Sequence, residues 1–242
     1  MDLIITWPVS VDYPNWRSFI RLNRFRFEKV VVSFSETNYG NDYRNFVIEA
    51  MAEDDITFLF PENCRNILFN NNADWRNNSI NACLEVSNSD WVWFTEQDLF
   101  IKDNNLFWDI VSDKINNFDI IGHRVNNDTS RYHPFCLFVK RDIIEKTQKY
   151  FGVVPDVWDH FAFFSHEIDD VTSKIKLLDG DLFYHMNGLS YNFYLMSVGI
   201  PITYYPDEFY SYLKNCLLIK DVPISDFYKY TIMSMYPWIL DE

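Results

Sequence analysis

Only six glycines occur in 242 residues, and they do not gather into a Gly-rich loop. The first apolar segment is therefore not followed by the glycine loop and basic residue with which a nucleotidyltransferase cradles a triphosphate. No apolar run approaches the roughly 20 residues of a membrane helix. The start, Met1-Asp2-Leu3-Ile4-Ile5-Thr6-Trp7, has no basic region followed by a long apolar segment, so it reads as a buried strand and not as a signal peptide. Cysteine is sparse: Cys64, Cys83, Cys136 and Cys216 lack metal-ligand spacing and read as reduced core residues of a cytoplasmic protein. Positive charge is scarce too. Against 35 Asp and Glu there are 21 Lys and Arg, a net charge of −14, which works against non-specific binding to nucleic acid or anionic lipid.

What the chain has in abundance is core material, 48% hydrophobic and 19% aromatic residues. That suffices for one sizeable α/β domain and excludes a disordered chain. A bias towards Asn, Ile, Phe, Tyr and Lys suits an AT-rich genome, as many phages have. One basic cluster stands out: Arg17, Arg21 and Arg24 are spaced i, i+4, i+7 and share a helical face. That face is either a solvated surface or a docking site for an anionic acceptor.

The first half alternates short apolar runs with amphipathic stretches. Strands are predicted at Leu3 to Trp7, Val30 to Phe34, Ile56 to Phe60 and Trp91 to Thr95. Helices are predicted from Asp12-Tyr13-Pro14 to about Phe27, from Asn41-Asp42 to about Ala52, and from about Trp75 to Val86. Such alternation implies right-handed crossovers and a mainly parallel sheet, with ligands at the carboxyl ends of the strands. Trp7-Pro8, Ser35-Glu36, Phe60-Pro61 and Glu96-Asp98 would then share one edge. Beyond, strands are expected at Phe118 to Gly122, Pro134 to Val139 and Leu182 to Tyr184, and helices at Asp142 to Tyr150 and Asp156 to about Lys174. The aromatic tail from Asp207 reads as helical. The expected organisation is a single domain over 1–242: a first half to residue 100, a second to 205, and a C-terminal helical extension over 206–242.

The strongest chemical feature is Trp91-Val92-Trp93-Phe94-Thr95-Glu96-Gln97-Asp98. In an extended chain Glu96 and Asp98 point the same way. Two carboxylates at the mouth of a parallel sheet suit a hard cation such as Mg²⁺ or Mn²⁺, which bridges to substrate phosphates. The plainer alternative is an acidic turn that only ends a strand.

The stretch from Asn72 to Ala82, with Arg76-Asn77 opening a helix and Ala82 a turn later, followed by the strand ending in Glu96-Gln97-Asp98, resembles the central region of the family-2-like GT-A glycosyltransferases. It departs from that pattern in having Glu at the first acidic position and no Gly after Arg-Asn. The resemblance covers residues 1 to 100 well and the rest loosely, and it implies a metal-dependent enzyme that takes a nucleotide-sugar donor. It implies Asp98 as a metal ligand and Glu96 as a sugar, ribose or metal contact. Trp7 and Pro8 would flank the base, Glu36 would accept from base or ribose, and Arg76 would order the acidic loop or touch the diphosphate. Arg76 could equally be a structural ion pair.

His185, in His-x-x-Gly-x-Ser after a late apolar segment, resembles the imidazole that completes the metal site in many GT-A enzymes. An inverting transferase also needs a carboxylate base. Asp159 is the first candidate and Asp156 the second, at a helix opening where such enzymes carry one; both could instead be dipole-favoured N-terminal residues. His166-Glu167 is a weaker alternative for the base. His133 resembles a residue near the acceptor, and Tyr191, Phe193 and Tyr194 could stack on sugars or fill a core. The acceptor hydroxyl is open: a glycan, a protein, a small molecule or a hydroxymethylated DNA base. The competing functions are nucleotidyl transfer onto a sugar phosphate and non-catalytic carbohydrate binding.

Overall fold

The computed structural model describes residues 1–6, 19–33, 48–49, 51–60, 74–95, 99–124, 132–147, 168, 170–185, 214, 233 and 236–239. Within these, β1 (Asp2–Thr6), β2 (Lys29–Ser33), β3 (Ile56–Leu59) and β4 (Trp91–Thr95) fall where the apolar runs predict them. Helix α1 (Asp74–Val86) joins β3 to β4. There follow β5 (Leu99–Ile101), helix α2 (Asn104–Lys114), β6 (Ile120–Arg124), β7 (Tyr132–Lys140), helix α3 (Arg141–Lys146), β8 (Ile175–Leu177) and β9 (Phe183–His185).

Seven strands form one sheet in the order β3-β2-β1-β4-β7-β6-β8, and β5 pairs with β9 in a separate two-stranded ribbon. The β3–β2, β2–β1, β1–β4 and β6–β8 pairs are parallel; β7 runs antiparallel to both β4 and β6. The sheet is therefore mainly parallel, as expected, with one reversed strand at its centre. Two antiparallel steps return β6 to the direction of β4, so the carboxyl ends of β1, β2, β3, β4, β6 and β8 share one edge.

The strands read as nearly unbroken apolar runs because both faces are covered. On one face Leu3, Ile5, Val30, Val32, Trp93 and Phe138 pack with Ile20 and Phe27 of the first crossover and with Phe107, Trp108 and Val111 of α2. On the other, Ile4, Val31, Val92, Phe94, Leu137 and Val139 meet Ile80, Cys83 and Leu84 of α1 and Ile143 and Ile144 of α3. The spacing Ile80, Cys83, Leu84 is one stripe of a 3.6-residue repeat. The two faces also follow from topology. The first crossover steps outward from β1 to β2, whereas α1 carries the chain back from β3 to β4 on the far side of β1. A fixed right hand for both movements puts their helices on opposite faces.

Several boundaries differ from expectation. The first helix is helical at residues 19–23, ends in a 3-10 turn at Arg24–Arg26, and Phe27 is extended. Met51 to Glu53 form a turn, not the last residues of a helix. Helix α3 ends at Lys146, with Thr147 extended and its hydroxyl bonded to the Ile144 carbonyl at 2.6 Å. The helix expected through Lys174 is over by Val171. Cys83 and Cys136 are buried and outside any disulfide, as read from the sequence; Cys64 and Cys216 lie outside the described residues.

The basic face is paired within the chain. Arg21 Nε bonds the Asp54 carboxylate at 2.8 and 3.1 Å, and Arg24 Nη2 bonds Asp55 at 2.6 Å and its carbonyl at 3.3 Å. Arg24 also donates to Phe27 O at 2.6 Å. These two arginines fasten the first crossover to the turn before β3, and Arg21 stays exposed, so the face is a solvated one whose charges are paired within the chain; Arg17 lies outside the described residues. Asp55 takes φ of 50°, a left-handed conformation that Asp tolerates better than most residues.

Candidate functional site

In an open α/β sheet the ligand crevice forms where the strand order reverses, outside the carboxyl ends of the strands. Here the order reverses between β1 and β4. The two strands are in register from Asp2↔Val92 to Ile5↔Thr95. Thr95, the last residue of β4, is buried and also pairs with Cys136 of β7. Burial pushes the Cys136 thiol far above its ordinary range, so it packs there as a neutral group.

Helix α1 runs from the carboxyl end of β3 back to the amino end of β4, so its N-terminus lies on the same edge. That end carries the partial positive charge of the helix. Arg76 is the third residue of α1, in its first turn. Further in, the Ser33 hydroxyl at the end of β2 is hydrogen-bonded to that of Ser79 in α1, and both residues are buried. The pair ties the strand end to the helix without leaving a buried hydroxyl unpaired.

After Thr95 the chain passes through Glu96, Gln97 and Asp98 and re-enters at β5. There Leu99 pairs with His185, Phe100 with Tyr184 and Ile101 with Phe183, and the Lys102 amide extends the ribbon to Leu182 O at 3.1 Å. A position 86 residues away in sequence is thus brought beside the exit of the acidic stretch. His185 is a backbone position in β9 here.

Further along the same edge, β6 ends in His123 and Arg124. The Arg124 guanidinium lies over the Tyr132 ring at 4.9 Å and donates to its hydroxyl at 3.0 Å, joining β6 to the start of β7. The β6–β7 register shifts between Gly122 and Arg124. Pro134, without an N–H to give to a ladder, falls in the β7 segment opposite that shift. His123 sits at the break, and no pattern in its neighbourhood of sequence marks it; only the irregular pairing does.

Of the sequence-derived candidates, Trp7, Pro8, Glu36, Glu96, Gln97, Asp98, Asp156, Asp159, His166, Glu167, Tyr191, Phe193 and Tyr194 lie outside the described residues, as does nearly all of the tail. His133 is a β7 residue described by its backbone position. Among the described residues there is no cluster of three His, Cys, Asp or Glu side chains. Nor, among them, is any helix long and apolar enough to cross a membrane.

No protein-family model matches the chain, and no curated protein matches it significantly. Solved structures do. Staphylococcus aureus TarS, residues 1–349, superposes with a TM-score of 0.50 at 12% identity, over 97% of this chain and 72% of that one. The galactosyltransferase LgtC, bound to donor and acceptor sugar analogs, gives a TM-score of 0.45 at 11% identity, over 74% and 73%. At such identities the likeness is one of fold. The chain has a GT-A-like, Rossmann-type α/β fold, as the sequence resemblance implies.

Proposed function

We propose that the chain is a metal-dependent glycosyltransferase that moves a sugar from a nucleotide-diphosphate sugar to a hydroxyl acceptor, with inversion. The observation that carries this reading is the pairing of β5 with β9, in which Leu99 faces His185 directly after the acidic stretch. Paired Cα atoms lie about 5 Å apart and neighbouring ones 3.8 Å, so covalent geometry keeps the Cα before Leu99 within roughly 9 Å of that of His185. One cation can span such a gap between a carboxylate and an imidazole. The donor set also fits: carboxylate oxygens and one imidazole suit Mn²⁺ or Mg²⁺ beside a diphosphate. When bound, the metal would neutralise charge growing on the leaving diphosphate.

The chain's own groups divide the remaining work. Asp98 and His185 hold the metal, and Glu96 assists it or binds the sugar or ribose. Trp7 and Pro8, which follow β1, flank the base, and Glu36, which follows β2, accepts from base or ribose. Arg76 in the first turn of α1 adds its charge to the helix end facing the diphosphate. Asp159, or Asp156 in its place, takes the proton of the acceptor hydroxyl.

The test is a thermal-shift screen of nucleotide-sugars with Mn²⁺, repeated on Asp98→Asn. A donor at about 100 times its Kd stabilises the folded state by about 2.7 kcal/mol. For a chain of this size that raises Tm by roughly 5–10 °C. Asp98→Asn should abolish the shift while keeping the ligand-free Tm. No shift with any nucleotide-sugar refutes the reading, and consumption of a nucleoside triphosphate would replace it with nucleotidyl transfer.

A further inference from the structure

The two-stranded ribbon that brings His185 to the acidic stretch is only three residue pairs long. An isolated pair of such strands is marginal in water, so something in the main sheet must hold it. Part of the hold is Phe183, buried with Leu99, Trp93 and Phe138 in one core cluster. Further contacts come from His123.

His123 lies where the β6 ladder gives out. On one side the β6–β8 pairing reaches Gly122↔Leu177 and closes with Leu178 N donating to Gly122 O at 2.8 Å. On the other, the β6–β7 register breaks between Gly122 and Arg124. Bulges of this kind re-aim a side chain at a sheet edge. The half-buried imidazole meets the segment joining β8 to β9 at three points. Its Nδ1 is 3.4 Å from Leu178 O. Its Cε1 lies so near Gly180 that a Cβ there would stand 3.3 Å away. Its ring meets Phe183 edge-on, with centroids 5.2 Å apart and planes at 84°. The segment between is short and internally fixed, since the Asp179 carboxylate accepts from Asp181 N at 3.0 Å and Leu182 N donates to Asp179 O at 3.2 Å. From Phe183 the strand runs two residues to His185.

We propose that His123 is a positioning residue: packed on Leu178, Gly180 and Phe183, it braces the β5–β9 ribbon against the sheet and so sets where His185 stands relative to the acidic stretch. The functional consequence rests on the reading of His185 as a metal ligand. The brace itself rests on the contacts alone. The Leu178 contact is a long hydrogen bond and the other two are packing, so a phenyl ring should restore most of the brace. Groups that orient a metal ligand are worth about 10- to 100-fold in affinity or activity.

The experiment compares wild type, His123→Ala, His123→Phe and Gly180→Ala by backbone amide hydrogen exchange and by Mn²⁺ titration of nucleotide-sugar binding. Losing one edge-on aromatic contact should speed exchange of the Lys102 and Tyr184–His185 ribbon amides by roughly two- to tenfold in His123→Ala, leaving β1 and β4 unchanged. The same variant should need about tenfold more Mn²⁺ for half-maximal binding. His123→Phe should restore both, and Gly180→Ala, whose Cβ presses on the ring, should move both in the direction of His123→Ala by less. Unchanged ribbon exchange in His123→Ala overturns the brace. So does a His123→Phe variant with normal exchange and an Mn²⁺ defect equal to that of His123→Ala, which would make the imidazole a direct contact. A wild-type chain that binds no nucleotide-sugar would refute the proposed function instead, and the exchange comparison would still decide the brace.

Discussion

Asp2 gives the sharpest stability test because a charged group is fully buried at the amino end of β1. Its Oδ2 accepts from Ser87 Oγ at 2.7 Å, Asn88 N at 2.8 Å and Ser89 N at 3.1 Å, and its Oδ1 from Ser89 Oγ at 2.6 Å. Arg141 closes the network by donating to Ser87 Oγ at 2.8 Å and to Ser89 O at 3.0 Å. In Asp2→Ala the two serine hydroxyls can turn elsewhere, but the two amides lose their acceptor. At about 1–3 kcal/mol for each orphaned donor, the cost is about 2–6 kcal/mol. That lowers Tm by roughly 4–24 °C for a chain of this length. The pH dependence adds a second check. Burial by itself raises the Asp2 pKa, but the hydrogen bonds from Ser89, Ser87 and Asn88 outweigh it and hold the carboxyl below its ordinary value of 3.8. A folded pKa below the unfolded one means stabilisation present in full above the unfolded pKa and lost as pH falls through the folded one. Urea unfolding of wild type and Asp2→Asn should therefore show a gap that is constant at neutral pH and narrows below about pH 4. Asp2→Ala within 1 kcal/mol of wild type, roughly the value of a solvated hydrogen bond, would refute the reasoning, as would a gap indifferent to acid.

Two further substitutions test the sheet on which the site is built. In Gly122→Ala the new Cβ would stand 2.8 Å from Leu137 Cδ1 and 3.3 Å from Cys136 O, and the latter is backbone of the central strand pair. A loss of about 1–3 kcal/mol in urea unfolding is expected, and a neutral result would mean the strands can part there at no cost. Trp93 is fully buried, stacked on Phe138 at 4.6 Å and edge-on to Trp108 at 5.4 Å. Trp93→Ala should cost about 3–5 kcal/mol and abolish most of the near-ultraviolet dichroism; a loss under 1 kcal/mol would show that the cavity collapses.

The first half of the fold was legible because each strand is a short apolar run set off by polar helices, and β4 was read to the residue. What was missed has physical causes. Helix α2 carries Phe107, Trp108, Ile110 and Val111, residue types that favour strands, and its packing against Trp93 and Phe27 overrides that preference. A start signal was present: the Asp103 carboxylate accepts from Asn105 N at 2.9 Å and Leu106 N at 3.0 Å. Strands β5 and β8 are three residues long, too short for a period to declare itself. The reversal of β7 cannot be read from Pro134 to Val139, because a doubly covered strand is apolar throughout whichever way it runs. At the site, the strand ends were legible from pattern. The role of His123 was not, since a register shift belongs to two strands and not to one sequence.

The same asymmetry explains why a chain so acidic spends its arginines where it does. Arg141 is tied to Ser87 and Ser89, Arg21 and Arg24 to Asp54 and Asp55, and Lys140 to Asp119 at 2.7 Å. Arg141, Lys140 and their partners lie at the amino edge, where the carboxylates of Asp2 and Asp119 are hydrogen-bonded within the fold. Asp119 is held below its ordinary pKa because hydrogen bonds from Lys140 and Thr172 and the Lys140 charge outweigh its burial. Fixing the amino edge in this way clamps β4 at Asp90, whose carbonyl accepts from Arg141 N at 2.8 Å. Pairing with β1 and β7 on its two sides then carries that restraint along the strand to Thr95. A metal site gains most from ligands borne on elements that cannot shift. On the proposed function, three residues linking β4 to a ribbon held by Phe183 and His123 are the economical way to place carboxylates and an imidazole together. A loosened amino edge should then weaken metal-dependent binding at the far end of β4, through a strand that touches neither donor nor acceptor there.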